Sequence, residues 1–411
     1  MAEEISFIPG GVTAPQGFCA NGIHCGIRRN KSKKDLALIV ADTDCAAAGI
    51  YTRNLVCGAP ITVTRAHIAD GKARAVICNS GIANTCEADG VEKAEGMCAL
   101  ASQALGIPAQ DFIVASTGVI GQPLDLSPIE SGMAELTGGL TADASGSDAA
   151  AQAIMTTDTH KKEFAVSFTL GGKPCKIGAI AKGSGMIHPN MATMLCFITT
   201  DAAVAAPVLE QALRDAADET FHMMSIDGDT STNDTVCIMA SGHCGNAAID
   251  LASGAAYEAF YQALLAVCRA IVRELARDGE GATKLIVCRT HGAKTLEAAR
   301  KSAKSVICSS LVKAAMFGSD ANWGRILCAI GYSGADVDVN TIDVKFVSSA
   351  GEIEVCKNGA GIAFSEELAK KVLTPDEVVM DVSLGSGDFS AEAYGCDLTY
   401  DYVKINGDYR T

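Results

Sequence analysis

Apolar residues return every third or fourth position from Tyr257 through Phe260, Tyr261, Leu264, Leu265, Cys268, Ile271 and Val272 to Leu275. That period predicts a long amphipathic helix with one buried face. Asp278-Gly279 stops it, and Glu280 lies just beyond. Ala94, Met97, Cys98, Ala101 and Leu105 fall on one face of a second helix over 91–105, ended by Gly106. Residues 207–220 read as a third, with Pro207 at the first position, where a missing N–H costs nothing. Residues 143–155 read as helix too, and 294–316 as one or two helices. Short apolar, β-branched runs bounded by Gly, Asp or Asn predict strands at 37–41, 61–63, 74–78, 112–115, 235–239, 284–288, 344–347 and 378–384. Residues 164–170 and 175–180 should pair as a hairpin about Gly171-Gly172. No linker, repeat or low-complexity tract separates these elements, so two lobes that share sheets are expected.

The middle of the chain follows neither period. Lys182-Gly183-Ser184-Gly185-Met186-Ile187-His188-Pro189-Asn190-Met191-Ala192-Thr193 opens with a cation and two glycines and bends at His188-Pro189-Asn190. It then delivers Ala192-Thr193 into the apolar run 194–198. Pro189 biases His188 away from helix. A hydroxyl at such a junction is either part of an ordinary corner or a nucleophile. Threonine needs a base beside it, and an N-terminal threonine carries one in its own α-amine, whose pKa is about 7.7–8.0. Thr193 gains that amine only if the 192–193 bond is cut. Its hydroxyl could do this by attacking the Ala192 carbonyl, with an N-to-O acyl shift and ester hydrolysis. The chemistry also needs donors for the developing oxyanion. Thr117-Gly118, after the predicted strand 112–115, offers a hydroxyl and an unobstructed N–H, although a plain strand-ending turn has the same composition.

Composition narrows the field. A net charge of −15, with no basic run beyond Arg28 to Lys34, argues against a nucleic-acid partner. No stretch reads as a membrane span, and the start has no apolar signal core. The 17 cysteines include no C-x-x-C pair, so free thiols in a reducing cytoplasm are expected, with no structural zinc site. Phosphate-loop and G-x-S-x-G signatures are missing, and His188 stands where a dinucleotide loop would need its third glycine. Asp227-Gly228-Asp229-Thr230-Ser231-Thr232-Asn233-Asp234 lacks the glycine and the closing glutamate of a calcium loop and reads as a hydrogen-bonded turn. His188 reads as a turn residue.

Taken together, Ser116-Thr117-Gly118-Val119-Ile120-Gly121, Met155-Thr156-Thr157-Asp158-Thr159, the segment 181–195, the stretch 227–235, Gly279-Glu280-Gly281-Ala282-Thr283-Lys284 and the terminal 405–411 closely resemble, in order and over essentially the whole chain, the ArgJ family. These are the ornithine acetyltransferases (glutamate N-acetyltransferases) of arginine biosynthesis. The resemblance implies an α/β, DmpA-like fold with sheets sandwiched between helices, self-cleaving and of the N-terminal-nucleophile type. It implies a cut between Ala192 and Thr193, giving an α chain, 1–192, and a β chain, 193–411. It makes Thr193 the nucleophile and Thr117 and Gly118 the oxyanion donors. Thr156, Lys182, Thr193, Glu280, Asn406 and Thr411 would line the substrate site. The implied reaction is ping-pong: N-acetylornithine acetylates Thr193 and leaves as ornithine, then glutamate takes the acetyl group as N-acetylglutamate. No cofactor or metal is implied, and acetyl-CoA is a candidate second donor. The α and β chains would assemble as a heterotetramer in the cytoplasm. The chain departs from the family pattern at Ile82, Glu87 and Gly407. Two rivals remain open at this point: a related amidohydrolase or aminopeptidase that uses water as acceptor, and a non-catalytic amino-acid-binding protein.

Overall fold

The computed structural model describes residues 5–188 and 194–408. Among them, two mixed sheets enclose a layer of helices. The first sheet runs, edge to edge, Ser6–Ile8, Lys162–Leu170, Lys173–Lys182, Leu195–Thr200, Thr235–Ala240, Leu36–Tyr51, Lys72–Ile82 and Phe112–Val119, with Phe18–Ile23 also pairing with Leu36–Tyr51. Two of its ladders are parallel, Leu195–Thr200 with Thr235–Ala240 and Lys72–Ile82 with Phe112–Val119. The second sheet runs Ala360–Gly361, Gly351–Lys357, Asp343–Ser348, Glu377–Ser383, Leu285–Ala293, Phe389–Cys396, Met224–Ser225.

The helices Ala206–Glu219 and Ala255–Arg277 share one core with both sheets. Leu213, Phe260, Leu264 and Ile271 pack with Val166, Ile177 and Ile198 of the first sheet and with Leu285, Val287 and Tyr394 of the second. The helical period read from Tyr257 to Leu275 is therefore a two-sided contact. Ala255–Arg277 is long and apolar enough on composition alone to cross a membrane, against the sequence expectation. Here its apolar positions are spent on the core, and Arg273 and Arg277 pair with Glu377. On the outer side of the first sheet, Ala144–Ile154 brings Ala150, Ala153 and Ile154 against Phe18, Ile39 and Ile180, small side chains that allow close approach. Leu296–Cys308, Trp323–Gly331 and Glu366–Leu373 cover the second sheet.

Three expectations are corrected. Residues 61–63 are not a strand but part of the helix Ala59–His67. Pro60 sits in its first turn, and Thr64, one turn after Ile61, exchanges hydrogen bonds of 2.7 and 2.9 Å with the Val114 backbone. Tertiary contact outweighs the β preference of an Ile-Thr-Val run. The strand expected to stop at Ala115 continues to Val119, because Lys72–Ile82 pairs with it along its full length. The thiols are not all free either: Cys175 and Cys244, 69 residues apart in sequence, are joined as a disulfide.

Candidate active site

A cavity of about 130 Å³ collects Thr117, Gly118, Thr156, Lys182, Glu280 and Asn406. Larger clefts exist, including one of about 730 Å³ lined by Tyr51, Arg65 and Arg214. The smaller one is the stronger candidate because it draws hydroxyls, an amide and opposite charges from widely separated segments. Ala192, Thr193 and Thr411 lie outside the described residues.

One wall is the end of the parallel ladder, where Gly118 lies opposite Gly81. Gly118 has φ +133°, and a Cβ there would collide with the Gly81 carbonyl, so only glycine fits. Beside it Thr117 is buried, with its Oγ1 3.2 Å from the Lys182 ammonium. Lys182 is the last residue of Lys173–Lys182, opposite Leu195, and is itself buried. Burial lowers the Lys182 pKa, and nearby Asp158 opposes that shift.

Beneath this wall lies a buried charge group. Lys162 reaches Asp158 at 2.7 Å and Asp278 at 2.6 Å. Burial pushes the Asp158 carboxyl up, but Lys162 and then Lys182 override it and hold the group well below the ordinary carboxylate range. Asp158 also accepts from the amides of Thr156 at 2.9 Å and Gly183 at 2.8 Å. Asp278, capping the long helix, accepts from the Thr159 amide at 3.0 Å, and its carbonyl accepts from Ser184 Oγ at 2.5 Å. Loop, turn and helix end are thus tied at one point. Two residues on, the Glu280 amide donates to Ser184 O at 2.9 Å, and its carboxylate accepts from Asn406 Nδ2 at 2.7 Å. Asn406 belongs to the exposed helix Tyr400–Asp408.

The polar stretch 227–234 is more than a local turn. Asp227 accepts from the amides of Met186 (2.6 Å) and Ile187 (2.8 Å), fixing Met186 at φ +57°. Thr230 Oγ1 donates to His188 O at 3.0 Å. Asn233 Nδ2 donates to Ala83 O (2.7 Å) and Ser116 O (3.0 Å), bracing both strand ends of the parallel ladder. Asp234 Oδ1 accepts from the Met194 amide at 3.0 Å, and its fully buried Oδ2 has no partner among the described residues. Burial raises that carboxyl well above its ordinary range. The stretch therefore grips the chain on both sides of 189–193.

His188, read as a turn residue, has Nδ1 3.0 Å from Ser225 Oγ. Burial, and next Lys304, push its pKa down to about 4. Cys175, Asp201 and Cys244 bring potential metal-ligand atoms within 4.8 Å of one another, but the two sulfurs are bonded to each other and offer no thiolates. Thr157, Met186, Ser231, Thr232 and Asn233 also line the cavity and were not singled out from the sequence. All five fall within the motif blocks 155–159, 181–195 and 227–235, and Ser231, Thr232 and Asn233 also stand in a stretch dense in hydroxyl and amide residues.

Comparison with known proteins places residues 19–411 in the ArgJ family. An arginine biosynthesis bifunctional protein ArgJ from Symbiobacterium thermophilum is 51% identical, over 99% of this chain and 100% of that one. Among solved structures, an arginine biosynthesis bifunctional protein ArgJ from Bacillus halodurans is 45% identical with a TM-score of 0.49, covering 52% of this chain and 98% of that chain. An ornithine acetyltransferase from Mycobacterium tuberculosis, complexed with ornithine, is 34% identical with a TM-score of 0.42, covering 45% of this chain and 98% of that chain.

Proposed function

This chain belongs to the ArgJ family, and from that premise we propose that it transfers acetyl groups from N-acetylornithine to glutamate in arginine biosynthesis. Thr193, freed as an N-terminus by a cut after Ala192, is the nucleophile of this reading. Its α-amine takes the hydroxyl proton as the oxygen attacks the acetyl carbonyl. The Thr117 hydroxyl and Gly118 N–H receive the oxyanion. The tetrahedral centre collapses, the C–N bond breaks, and ornithine leaves with the proton from the Thr193 ammonium. Glutamate's amine then attacks the acetyl ester, returning the proton to Thr193 Oγ and departing as N-acetylglutamate. Both substrates carry an α-amino-acid head, so one site serves both.

The observation that carries this reading is the cavity itself. It sets a buried cation, Lys182, and an anion, Glu280, around the Thr117-Gly118 donors. Substrates bearing carboxylate and ammonium ends suit that pairing. Thr156 and Asn406, which line the cavity, are further substrate contacts of this reading, which also assigns Thr411 to the substrate. The name "bifunctional" borne by the Symbiobacterium relative supports acetyl-CoA as a second donor. The proposed chemistry uses no resident cofactor. The proposed assembly pairs two α with two β chains, and the proposed location is the cytoplasm.

Denaturing mass spectrometry of the purified protein tests the cut. Two pieces are expected, residues 1–192 and 193–411, with Thr193→Ala leaving one intact, inactive chain. A wild-type chain that stays whole yet active, or a Thr193→Ala variant that still transfers acetyl, would overturn the assignment. Omitting glutamate should stop turnover after one acetyl group per site; continued acetate release would instead identify a hydrolase.

A further inference from the structure

The side chain of Thr117 has a single proton to donate, and the geometry restricts where it goes. Its Oγ1 lies 3.2 Å from the Lys182 ammonium. An ammonium only donates, so Thr117 accepts in that contact and its own proton must point elsewhere. Among the described residues no acceptor takes that proton, although Thr117 is only 3% exposed. The cavity, which both residues line, is open to that proton.

We propose that Lys182 is a positioning residue of the oxyanion site: its ammonium aims the Thr117 hydroxyl proton into the cavity and polarises it as a donor. The inference rests on the reading of Thr117 and Gly118 as oxyanion donors, and gives Lys182, beside its substrate contact, a task that acts through Thr117. A charged donor on an oxygen strengthens that oxygen's own donated bond, and does so most where water is excluded. Lys182 is 2% exposed. Burial works against its charge, and Asp158, the next influence, supports it.

A double-mutant cycle in the full-length protein tests this, with rates expressed per cut molecule as counted by denaturing mass spectrometry. Thr117→Val should lower kcat by about 100-fold, the usual effect of losing one oxyanion donor. Lys182→Met should lower kcat by at least about 10-fold, beyond any rise in KM from the substrate contact that the proposed function already gives Lys182. In the Thr117→Val background the same Lys182→Met change should cost less than about 2-fold, because the group it acts through is gone. Equal factors on kcat in both backgrounds, or an effect on KM alone, would overturn the proposal and leave Lys182 as a substrate contact only, with the oxyanion reading intact. An unchanged kcat in Thr117→Val would sink the oxyanion reading itself. If Lys182→Met fails to fold, Lys182→Arg closes the same cycle: the retained cation should keep more of kcat than any neutral side chain, and an Arg effect independent of Thr117 would refute the proposal.

Discussion

Gly185→Ala separates substrate recognition from stability at a single atom. Gly185 lies directly against Glu280, and an added Cβ would come within 2.5 Å of its Oε1. Ordinary carbon–oxygen contact begins about 1 Å farther out, so the carboxylate must retreat by roughly that distance. The Asn406 bond to Oε2, 2.7 Å in the native chain, would then stretch beyond hydrogen-bonding range. A hydrogen bond to a charged group contributes about 1.5–3 kcal/mol. If Glu280 grips a substrate ammonium through the same carboxylate, kcat/KM should fall by about 10- to 100-fold, mostly through KM. Folding should hardly change. The displaced group is the free end of a flexible side chain, and replacing glycine by alanine where the backbone allows it is worth up to about 1 kcal/mol in the other direction. Steady-state kinetics with N-acetylornithine and with glutamate, alongside a thermal melt, make the measurement. A variant with unchanged KM for both substrates would show that Glu280 holds neither, and a large fall in melting temperature would show that the carboxylate is not free to move.

Gly118→Ala should behave oppositely: its φ of +133° and the Gly81 backbone leave a Cβ nowhere to go, so a loss of about 3 kcal/mol or more is expected in urea unfolding. Lys162→Met removes the buried cation between Asp158 and Asp278, leaving two buried carboxyls without their shared ion pair, and should cost about 3–5 kcal/mol in the same assay. His188, pushed down to about 4 by burial and then by Lys304, is protonated more readily in the unfolded chain. Its contribution is therefore complete above about pH 6.5 and lost as pH falls toward 4; with solvent screening at this partly exposed ring it amounts to about 1–2 kcal/mol. His188→Gln should flatten that part of the stability profile, and an unchanged slope would assign it to other groups.

Regular elements were legible wherever one period dominated. The helix from Tyr257 to Leu275 and the hairpin about Gly171-Gly172 lie where the pattern put them, since burial imposes its own repeat on the sequence. Residues 61–63 misled because Ile, Thr and Val favour strand locally, whereas Thr64's bonds to Val114, 50 residues away, decide the outcome. The disulfide was invisible for the same reason: only the fold brings Cys175 to Cys244. Within the site, Thr117, Gly118, Thr156, Lys182, Glu280 and Asn406 were found through motifs and meet in one cavity. The bracing role of Asn233 is not legible because a turn rich in Asp, Thr and Asn looks self-sufficient; its partners Ala83 and Ser116 lie more than 110 residues distant.

The order of the first sheet bears on what a backbone cut would do. Leu195–Thr200 and Thr235–Ala240 lie side by side at its centre, with Lys173–Lys182 bonded along one flank and Leu36–Tyr51 along the other. A break between 192 and 193 would leave two polypeptides dovetailed like the staves of one barrel, the later pair wedged between earlier neighbours. Neither could be withdrawn without tearing two complete ladders, so the halves should travel as one particle through any native separation and part only in denaturant. Covalent continuity at that point is then expendable, and the chain is free to use the peptide bond as a reagent.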